Sequence, residues 1–207
     1  MSLILPERKL IFLHIPKCAG QSVQSALGVS HQHQHHKRKD LPEDWRDFLR
    51  FTFVRHPVSR FLSACNYNLR VALRTRSQLR TLPSNRLSPT KRYRLHLSEN
   101  PPSLAAMVDD LHRGRLKQLI TFKPQTLWLR AGQPQFIGRV ETFEDDFRQL
   151  LRLIDPQGHI ATRPPHANRS KPRLQSCDLS REELKRIWTY YREDFRRTGY
   201  NKIPPES

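Results

Sequence analysis

Apolar residues fall along the chain in two alternating patterns, short continuous runs and longer stretches with helical spacing. The runs at residues 10–15, 51–55 and 135–140 are typical of strands that are buried on both faces. A stretch with helical spacing follows each run, as the crossover connections between parallel strands require. This order predicts an α/β fold with a central parallel sheet flanked by helices.

Helical spacing predicts six helices, at residues 21–27, 42–50, 57–73, 103–112, 143–154 and 180–197. Phe61, Cys65 and Leu69 recur every four residues in the third of them, so one face of this helix is apolar. Gly28 and Gly199 are predicted to end the first and the last helix, because glycine readily adopts the left-handed conformation of a helix end.

The chain has 207 residues, a length that predicts a single domain with its own core. Residues 75–100 are predicted to form a basic insertion in this domain. From residue 48 to residue 98 the chain has eleven Lys or Arg and no Asp or Glu. Two interpretations stay open for the insertion, a flexible solvated loop and a loop that grips an acidic substrate.

The formal net charge of +18 favours an anionic partner, such as a nucleotide, a nucleic acid, an acidic glycan or an anionic lipid surface. The three cysteines are widely spaced and form no CxxC pair, so neither a zinc site nor a disulfide framework is predicted. No apolar run reaches the length of a membrane span, and no secretory signal is recognisable. These features predict a soluble cytoplasmic protein without a metal site; they leave the oligomeric state open.

Lys17 follows the first predicted strand, in the stretch IFLHIPKCAGQSVQSAL at residues 11–27. A strand that leads into a small-residue loop and a helix start presents backbone N–H groups to a phosphate, and a lysine adds a positive charge. The stretch does not fit a Walker A loop, GxxxxGK followed by Ser or Thr, because Lys17 precedes the only glycine. It does not fit a thiol phosphatase loop either, because Gln24 stands where an Arg is required six residues after Cys18.

Arg55 ends the second predicted strand, in the stretch FTFVRHPVSRFLSACNY at residues 51–67. Its guanidinium can donate two hydrogen bonds to phosphate oxygens, and the Ser63 hydroxyl can add another. Ser59 and Ser63 are four residues apart and share one helical face. The sequence predicts a second anion site from Arg55 and Ser63; the alternative is that Arg55 only caps the edge of the sheet.

Five stretches resemble, in the same order, those of the carbohydrate-type sulfotransferases, the family 2-like group that uses 3′-phosphoadenosine 5′-phosphosulfate (PAPS). HIPKCAGQSV, residues 14–23, is similar to the 5′-phosphosulfate loop of that family, whose usual form is close to HIPKTGGTS. The stretch at residues 51–67 is similar to its 3′-phosphate segment, usually near FVRNPWDRLVSAY. The other three are TFKPQTLWL, FIGRVETFEDDF and YYREDFRRTGY, at residues 121–129, 136–147 and 190–200.

The resemblance implies a P-loop NTPase-like three-layer fold and an enzyme that moves the sulfuryl group of PAPS to a hydroxyl, with adenosine 3′,5′-bisphosphate (PAP) as the product. It implies that Lys17 neutralises the charge that grows on the leaving phosphate. Arg55 and Ser63 are expected to bind the 3′-phosphate. The remaining residues expected to bind the nucleotide are Cys18, Ala19, Gly20, Gln21 and Ser22 in the first loop, and Ser170, Lys171 and Arg173 in a basic loop, which could otherwise be plain surface charge.

The first loop departs from the family pattern at three of the four positions after the lysine. The usual TGGT reads Cys18, Ala19, Gly20, Gln21, so both expected hydroxyls and one glycine are missing. In the second stretch His56 stands where Asn or Asp is common. The proposed cofactor role rests on backbone amides and Lys17, and these are retained.

The resemblance also places a general base between the first helix and the second strand. His36 is the first candidate and His35 the second, whereas the alternative is that the run HQHQHH is a solvated or metal-binding loop. Four further residues are expected to bind the substrate or to stabilise the strand and loop beside it: Gln125, Trp128, Arg139 and Glu141. The expected acceptor is a hydroxyl-bearing glycan or acidic saccharide.

Two other classes explain part of the sequence. A basic nucleic-acid-binding protein would explain the charge, but no RNP, zinc-finger or homeodomain motif is present. A P-loop kinase-like protein would explain the first loop, but the Walker lysine is absent. The sequence therefore predicts a PAPS-dependent sulfotransferase with no nucleic-acid partner.

Overall fold

The structure is a computed structural model that describes residues 2–29, 43–158 and 174–201. These ranges contain four strands, β1 (Ser2–Leu5), β2 (Leu10–Leu13), β3 (Leu49–Val54) and β4 (Phe136–Arg139). They also contain eight α-helices, α1 (Gly20–Ala26), α2 (Pro57–Arg80), α3 (Pro89–Glu99), α4 (Leu104–His112), α5 (Thr126–Gly132), α6 (Phe143–Ile154), α7 (Arg181–Tyr190) and α8 (Arg192–Thr198).

The chain divides into two compact units. Among the described residues, the first contains residues 2–29, 43–56 and 125–158, and the second contains residues 57–124 and 174–201. All four strands belong to the first unit, together with α1, α5 and α6. The prediction of a single domain stays a prediction.

The first unit is built on one sheet with the strand order β1-β2-β3-β4. β2 pairs with β3, and β3 pairs with β4, in parallel. The prediction of an α/β fold with a mostly parallel central sheet is confirmed. β1 was not predicted; it forms an antiparallel edge in which Leu5 pairs with Leu10, and Lys9 turns the chain with a left-handed φ of 49°.

Helices pack on both faces of this sheet. Phe51 and Phe53 lie on one face, where the ring of Phe53 contacts Phe143 of α6 at a centroid distance of 4.8 Å. Leu13 lies on the opposite face, because its neighbour in the chain is the register partner of Phe51. A Cβ at Gly132, the last residue of α5, would overlap the Leu13 side chain, so this helix packs directly against β2.

The predicted helix at residues 42–50 is wrong in its second half. A short 3-10 turn covers Trp45–Asp47, and β3 begins at Leu49. Leu49 and Arg50 pair with Leu10 and Ile11 of β2, and the Leu49 N–H donates to the Lys9 carbonyl at 2.8 Å. Sheet pairing with a distant strand therefore overrides the local helical pattern here.

The second unit is built on α2, which extends beyond the predicted residue 73 to Arg80. Its predicted apolar stripe is buried and packs with α4, α7 and α8 in one core. Burial raises the pKa of the Cys65 thiol, which keeps this residue protonated within that core. The Tyr191 hydroxyl donates to the Phe122 carbonyl at 2.8 Å and closes the core on that side.

The predicted last helix, residues 180–197, is two helices. Ser180 caps α7, since its hydroxyl accepts from the Glu183 N–H and the Glu183 carboxylate accepts from the Ser180 N–H. The chain leaves helical geometry at Tyr191 and resumes it in α8. Gly199 ends α8 with a left-handed φ of 66°, as predicted.

Residues 75–100, interpreted as a basic insertion, are largely helical rather than a loop. They contain the end of α2 and the whole of α3, which packs against α2. Ser88 caps α3 by accepting from the Lys91 N–H, and Pro89 occupies its first position. Leu87 and Leu97 are buried and anchor the segment in the core.

Candidate functional site

The loops that follow β2, β3 and β4 lie at the same edge of the sheet. The three strands are parallel, so their carboxyl ends meet there. Lys17 follows β2, Arg55 follows β3, and Glu141 follows β4. In open α/β sheets this is the edge at which ligands bind.

The loop between β2 and α1 has a strained backbone. Lys17 and Ala19 have positive φ angles of 71° and 54°, although neither is glycine. Such conformations cost about 1–3 kcal/mol each and persist only where the surrounding structure holds them. The Cys18 N–H donates to the Ile15 carbonyl at 3.2 Å, which tightens the loop between the two strained residues.

Gly20 is required because the chain passes close to His14. A Cβ at position 20 would overlap the imidazole of His14. That ring is itself stacked on Phe12, with centroids 5.6 Å apart. His14 therefore fixes the path of the loop into α1, a role that the sequence analysis missed although the residue lies within the quoted HIPK motif.

Gln125 connects the β2 loop to the end of β3. Its Oε1 accepts from the Arg55 N–H at 2.9 Å, and its Nε2 donates to the Arg55 carbonyl at 2.8 Å. The Cys18 thiol donates to the same Oε1 at 3.3 Å. Gln125 is fully buried. Its amide thus acts on Arg55 as a strand partner would and holds Cys18 beside it.

Glu141 supports the residue after Arg55. Its carboxylate accepts from the His56 N–H at 2.8 Å, and the His56 side chain is buried. Arg139, at the end of β4, donates its N–H to the Asp146 carboxylate at 2.6 Å. The two carboxylates therefore fix the backbone where β3 and β4 end.

The guanidinium of Arg55 is available to a ligand. Its backbone N–H and carbonyl are held by Gln125, whereas its half-buried side chain makes no hydrogen bond or ion pair with the residues that the structure describes. A half-buried guanidinium that is left unpaired is costly unless an acceptor is supplied. An oxyanion can accept two parallel hydrogen bonds from such a group.

The predicted site residues fall into three groups. The structure places eleven in the first unit, namely Lys17, Cys18, Ala19, Gly20, Gln21, Ser22, Arg55, Gln125, Trp128, Arg139 and Glu141. It places Ser63 on α2, in the second unit. His35, His36, Ser170, Lys171 and Arg173 lie outside the described residues.

Two properties of the described ranges bear on the possible classes of site. No helix in them is long and apolar enough to cross a membrane. Within residues 2–29, 43–158 and 174–201, His, Cys, Asp and Glu side chains do not form a group that could hold a metal ion.

The mostly parallel sheet, with Lys17 and Arg55 after the carboxyl ends of two neighbouring strands, defines a protein of the α/β class. A family model described as "Sulfotransferase family" matches residues 1–201. Comparison with curated proteins and with solved structures gave no match. The chain therefore belongs to the sulfotransferase family, and the resemblance predicted from its five stretches is confirmed.

Membership explains the fold and the general chemistry. Sulfotransferases have a P-loop-like fold, in agreement with the mostly parallel sheet and its helices. The family supports an enzyme that transfers sulfate to a hydroxyl acceptor.

Proposed function

We propose that this chain transfers the sulfuryl group of PAPS to a hydroxyl of a saccharide acceptor. The observation that carries the proposal is that Gln125 links the loop of Lys17 to Arg55. The Gln125 amide bonds the Cys18 thiol, next to Lys17, and the backbone of Arg55. Two cations held in this way suit a donor that carries a 5′-phosphosulfate and a separate 3′-phosphate. The donor supplies the sulfuryl group, whose bond to the phosphate oxygen breaks as sulfur bonds the acceptor oxygen.

Lys17 has the central electrostatic role in this proposal. Negative charge grows on the bridging oxygen as the sulfuryl group leaves, and an ammonium placed there stabilises it without the cost of reorganising water. The amides of Gly20, Gln21 and Ser22, with Cys18 and Ala19 shaping the loop, would bind the same phosphate. The strain at residues 17 and 19 supports such a role, since strained backbone often occurs at ligand clamps.

Arg55 and Ser63 are proposed as ligands of the 3′-phosphate, and the loop with Ser170, Lys171 and Arg173 as a cover for the nucleotide. Arg55→Ala and Ser63→Ala are each expected to lower the affinity for PAP by about 10- to 100-fold. This is the effect of losing one hydrogen bond to a charged group. Adenosine 5′-phosphosulfate lacks the 3′ group, so its affinity should barely change. Calorimetric titration of both nucleotides measures the difference.

Arg152→Ala provides the control for that experiment. Arg152 is an exposed arginine on α6, in the same unit as Arg55, and its loss should change neither affinity. If Arg55→Ala lost affinity equally for both nucleotides, the result would point to a folding effect and contradict the assignment.

Gln125 is proposed to position Arg55 rather than to touch the substrate, because its side chain is fully buried and its amide is occupied by protein groups. Gln125→Met keeps the length of the side chain and removes these bonds. It should lower the free energy of unfolding by at least about 1–3 kcal/mol, the cost of one unsatisfied buried polar group. It should also lower the affinity for PAP more than the affinity for adenosine 5′-phosphosulfate, as is expected of Arg55→Ala.

Gln135→Met is the matched control, because Gln135 makes the same kind of bond at the opposite end of β3. Its exposed side chain accepts from the Arg50 N–H at 2.7 Å. This variant should leave the preference for PAP intact. If Gln125→Met weakened both nucleotides equally, or added its full effect to Arg55→Ala in the double variant, the positioning role would be wrong.

The acceptor side of the site rests on the remaining residues. A hydroxyl must lose a proton as its oxygen attacks sulfur, and His36, or else His35, is proposed as the base. Trp128 is half-buried on α5 and is proposed to stack on the sugar, while Arg139 and Glu141 flank the edge. A cytoplasmic location is proposed from the sequence alone.

Product analysis tests the reaction. The protein is incubated with PAPS and a panel of neutral and acidic saccharides, and both PAP and the sulfated sugar are quantified. The proposal predicts equal amounts of PAP and sulfate ester with at least one saccharide. Transfer to phenols or to peptide tyrosine, with none to saccharides, would contradict the choice of acceptor.

A further inference from the structure

The α2–α3 pair carries an excess of positive charge that carboxylates of the described residues leave largely unbalanced. Between residues 61 and 99 the chain has seven Arg, one Lys and a single carboxylate, Glu99. Glu99 is bound by Arg80 at 3.2 Å. The other seven Lys and Arg residues between residues 61 and 99 make no ion pair within the described part of the chain.

The cations of the α2–α3 pair are exposed to a partner. Arg70 and Arg74 are exposed and one helical turn apart on α2, so they share a face of that helix. Lys91 and Arg92 are exposed on α3, and Arg86 is exposed in the connection between the two helices. These five residues are called the basic surface below.

Carboxylates elsewhere in the same unit are used differently. Asp109 binds Arg186 at 2.6 Å, Asp110 binds Arg115 at 2.9 Å, and Glu193 binds Arg196 at 3.0 Å. Positive charge is therefore balanced within α4, α7 and α8 and their neighbours but concentrated on α2 and α3. A concentration of one sign of charge favours a partner of the opposite sign.

Two arginines near the basic surface, Arg76 and Arg94, are half-buried. The guanidinium of Arg94 lies over the Tyr67 ring, 5.9 Å from its centroid. Arg76 and Arg94 each bury the Nε atom, and that atom has no acceptor within the described residues. Side chains that are already restrained lose less conformational freedom when they bind an anion.

The aromatic residues of the pair argue against a single-stranded nucleic-acid partner. Tyr67 lies beneath Arg94, and the Tyr93 hydroxyl donates to the Asp110 carboxylate at 3.3 Å. Burial and the neighbouring Asp110 raise the pKa of Tyr93, so this ring stays neutral and bonded. Neither ring is left as a platform for bases, on which single-stranded nucleic acids depend.

The apolar residues of the pair argue against a lipid surface. Helices that lie on membranes bury a whole apolar face between the headgroups and acyl chains. Among the described residues of α2 and α3, Leu73 is the only large apolar side chain that is strongly exposed. Arginine outnumbers lysine in the α2–α3 pair. Its planar guanidinium can donate two parallel hydrogen bonds to two oxygens of one sulfate or carboxylate group.

We propose that the basic surface docks an acidic polysaccharide, the polymer that carries the acceptor hydroxyl. The choice of a polysaccharide rests on the proposed function, whereas the requirement for a polyanion rests on the exposed unpaired cations. A docking surface of this kind raises the local concentration of acceptor chains and favours polymers over short sugars.

Heparin oligosaccharide is the probe for this proposal, with dextran as an uncharged sugar. The variant Arg70→Gln/Arg74→Gln/Lys91→Gln/Arg92→Gln removes four exposed charges, and glutamine keeps nearly the same helix propensity. It should bind heparin at least about 10-fold more weakly than the unmodified protein, since each exposed charge contributes a modest amount. Its affinity for PAP should be unchanged, and dextran should bind neither protein.

A control variant removes the same charge from other exposed positions, Arg8, Arg152, Arg181 and Arg197, each changed to Gln. It should keep most of the heparin affinity, which separates a local surface from net charge. An equal loss in both variants would overturn the proposal. So would tighter binding of a DNA duplex or of phosphatidylserine vesicles than of heparin at the same salt concentration. Failure of the unmodified protein to bind PAP would count against the proposed function and leave the heparin result to stand by itself.

Discussion

Lys17→Ala is expected to lower turnover by about 10²- to 10³-fold, the usual effect of removing one preorganised donor from a developing negative charge. The loss should fall on turnover more than on nucleotide affinity, because the charge on the bridging oxygen grows only as the sulfuryl group leaves. Steady-state release of PAP from PAPS and a saccharide acceptor measures it. Lys17→Arg keeps the charge but not the compact ammonium, so it should recover only part of the rate.

Lys9→Ala is the matched control for Lys17. Both lysines have positive φ angles, 49° and 71°, so both substitutions place alanine in a left-handed conformation. Lys9 lies at the β1–β2 turn, at the far end of β2 from the site. The Lys9→Ala variant should therefore retain normal turnover. Normal turnover in Lys17→Ala as well would end the assignment of the leaving-group role.

His36→Ala is expected to lower turnover by about 10²- to 10⁴-fold, the range for loss of a general base, with PAP affinity nearly intact. The active form is the neutral imidazole, which can accept the hydroxyl proton. Activity should therefore rise as pH increases through the range in which the histidine loses its proton. The acidic limb of the pH–rate profile should disappear in the variant.

Neighbouring histidines provide the controls for the base. His31→Ala and His33→Ala should have little effect on turnover. If His36→Ala kept the acidic limb and His35→Ala lost it, His35 would be the base and the assignment of His36 would be wrong. If neither mattered, Glu141 would be the next candidate, although its carboxylate already accepts from the His56 N–H.

The central strands could be predicted because their sequences are nearly continuous apolar runs. β2, β3 and β4 lie within or next to the predicted runs, and α6 matches its predicted bounds. Such patterns reflect burial on both faces of a parallel sheet, a property of each segment taken alone. β1 could not be found in this way, because its four residues are stabilised by pairing with β2.

Two helices were missed for different reasons. α5 is seven residues long and Gln125, before it, makes no side-chain cap, so neither length nor a capping signal marked it. α3 does have a start signal, Ser88 followed by Pro89, but its many cations masked its one buried leucine, Leu97. Charge density is a poor guide to disorder when a neighbouring helix supplies the core.

Candidate site residues that lie in sequence motifs could be predicted. Those that act through contacts between distant parts of the chain could not. Lys17 and Arg55 follow strands in stretches that resemble known phosphate segments. The bond from Cys18 to Gln125 joins residues 107 positions apart, and the bonds from Arg55 to Gln125 join residues 70 positions apart. No local pattern encodes a buried amide that pairs with a distant backbone, so the role now proposed for Gln125 required the structure.

Titration with PAP tests the central claim most directly, that this sulfotransferase-family chain recognises a nucleotide with a 3′-phosphate. The unmodified protein is titrated with PAP and, separately, with ATP and Mg²⁺ in the same buffer. The account predicts saturable binding of PAP and no comparable binding of ATP with Mg²⁺, because the two cations suit separate 5′ and 3′ groups. Binding of ATP with Mg²⁺ as tight as that of PAP, or no binding of PAP, would contradict it.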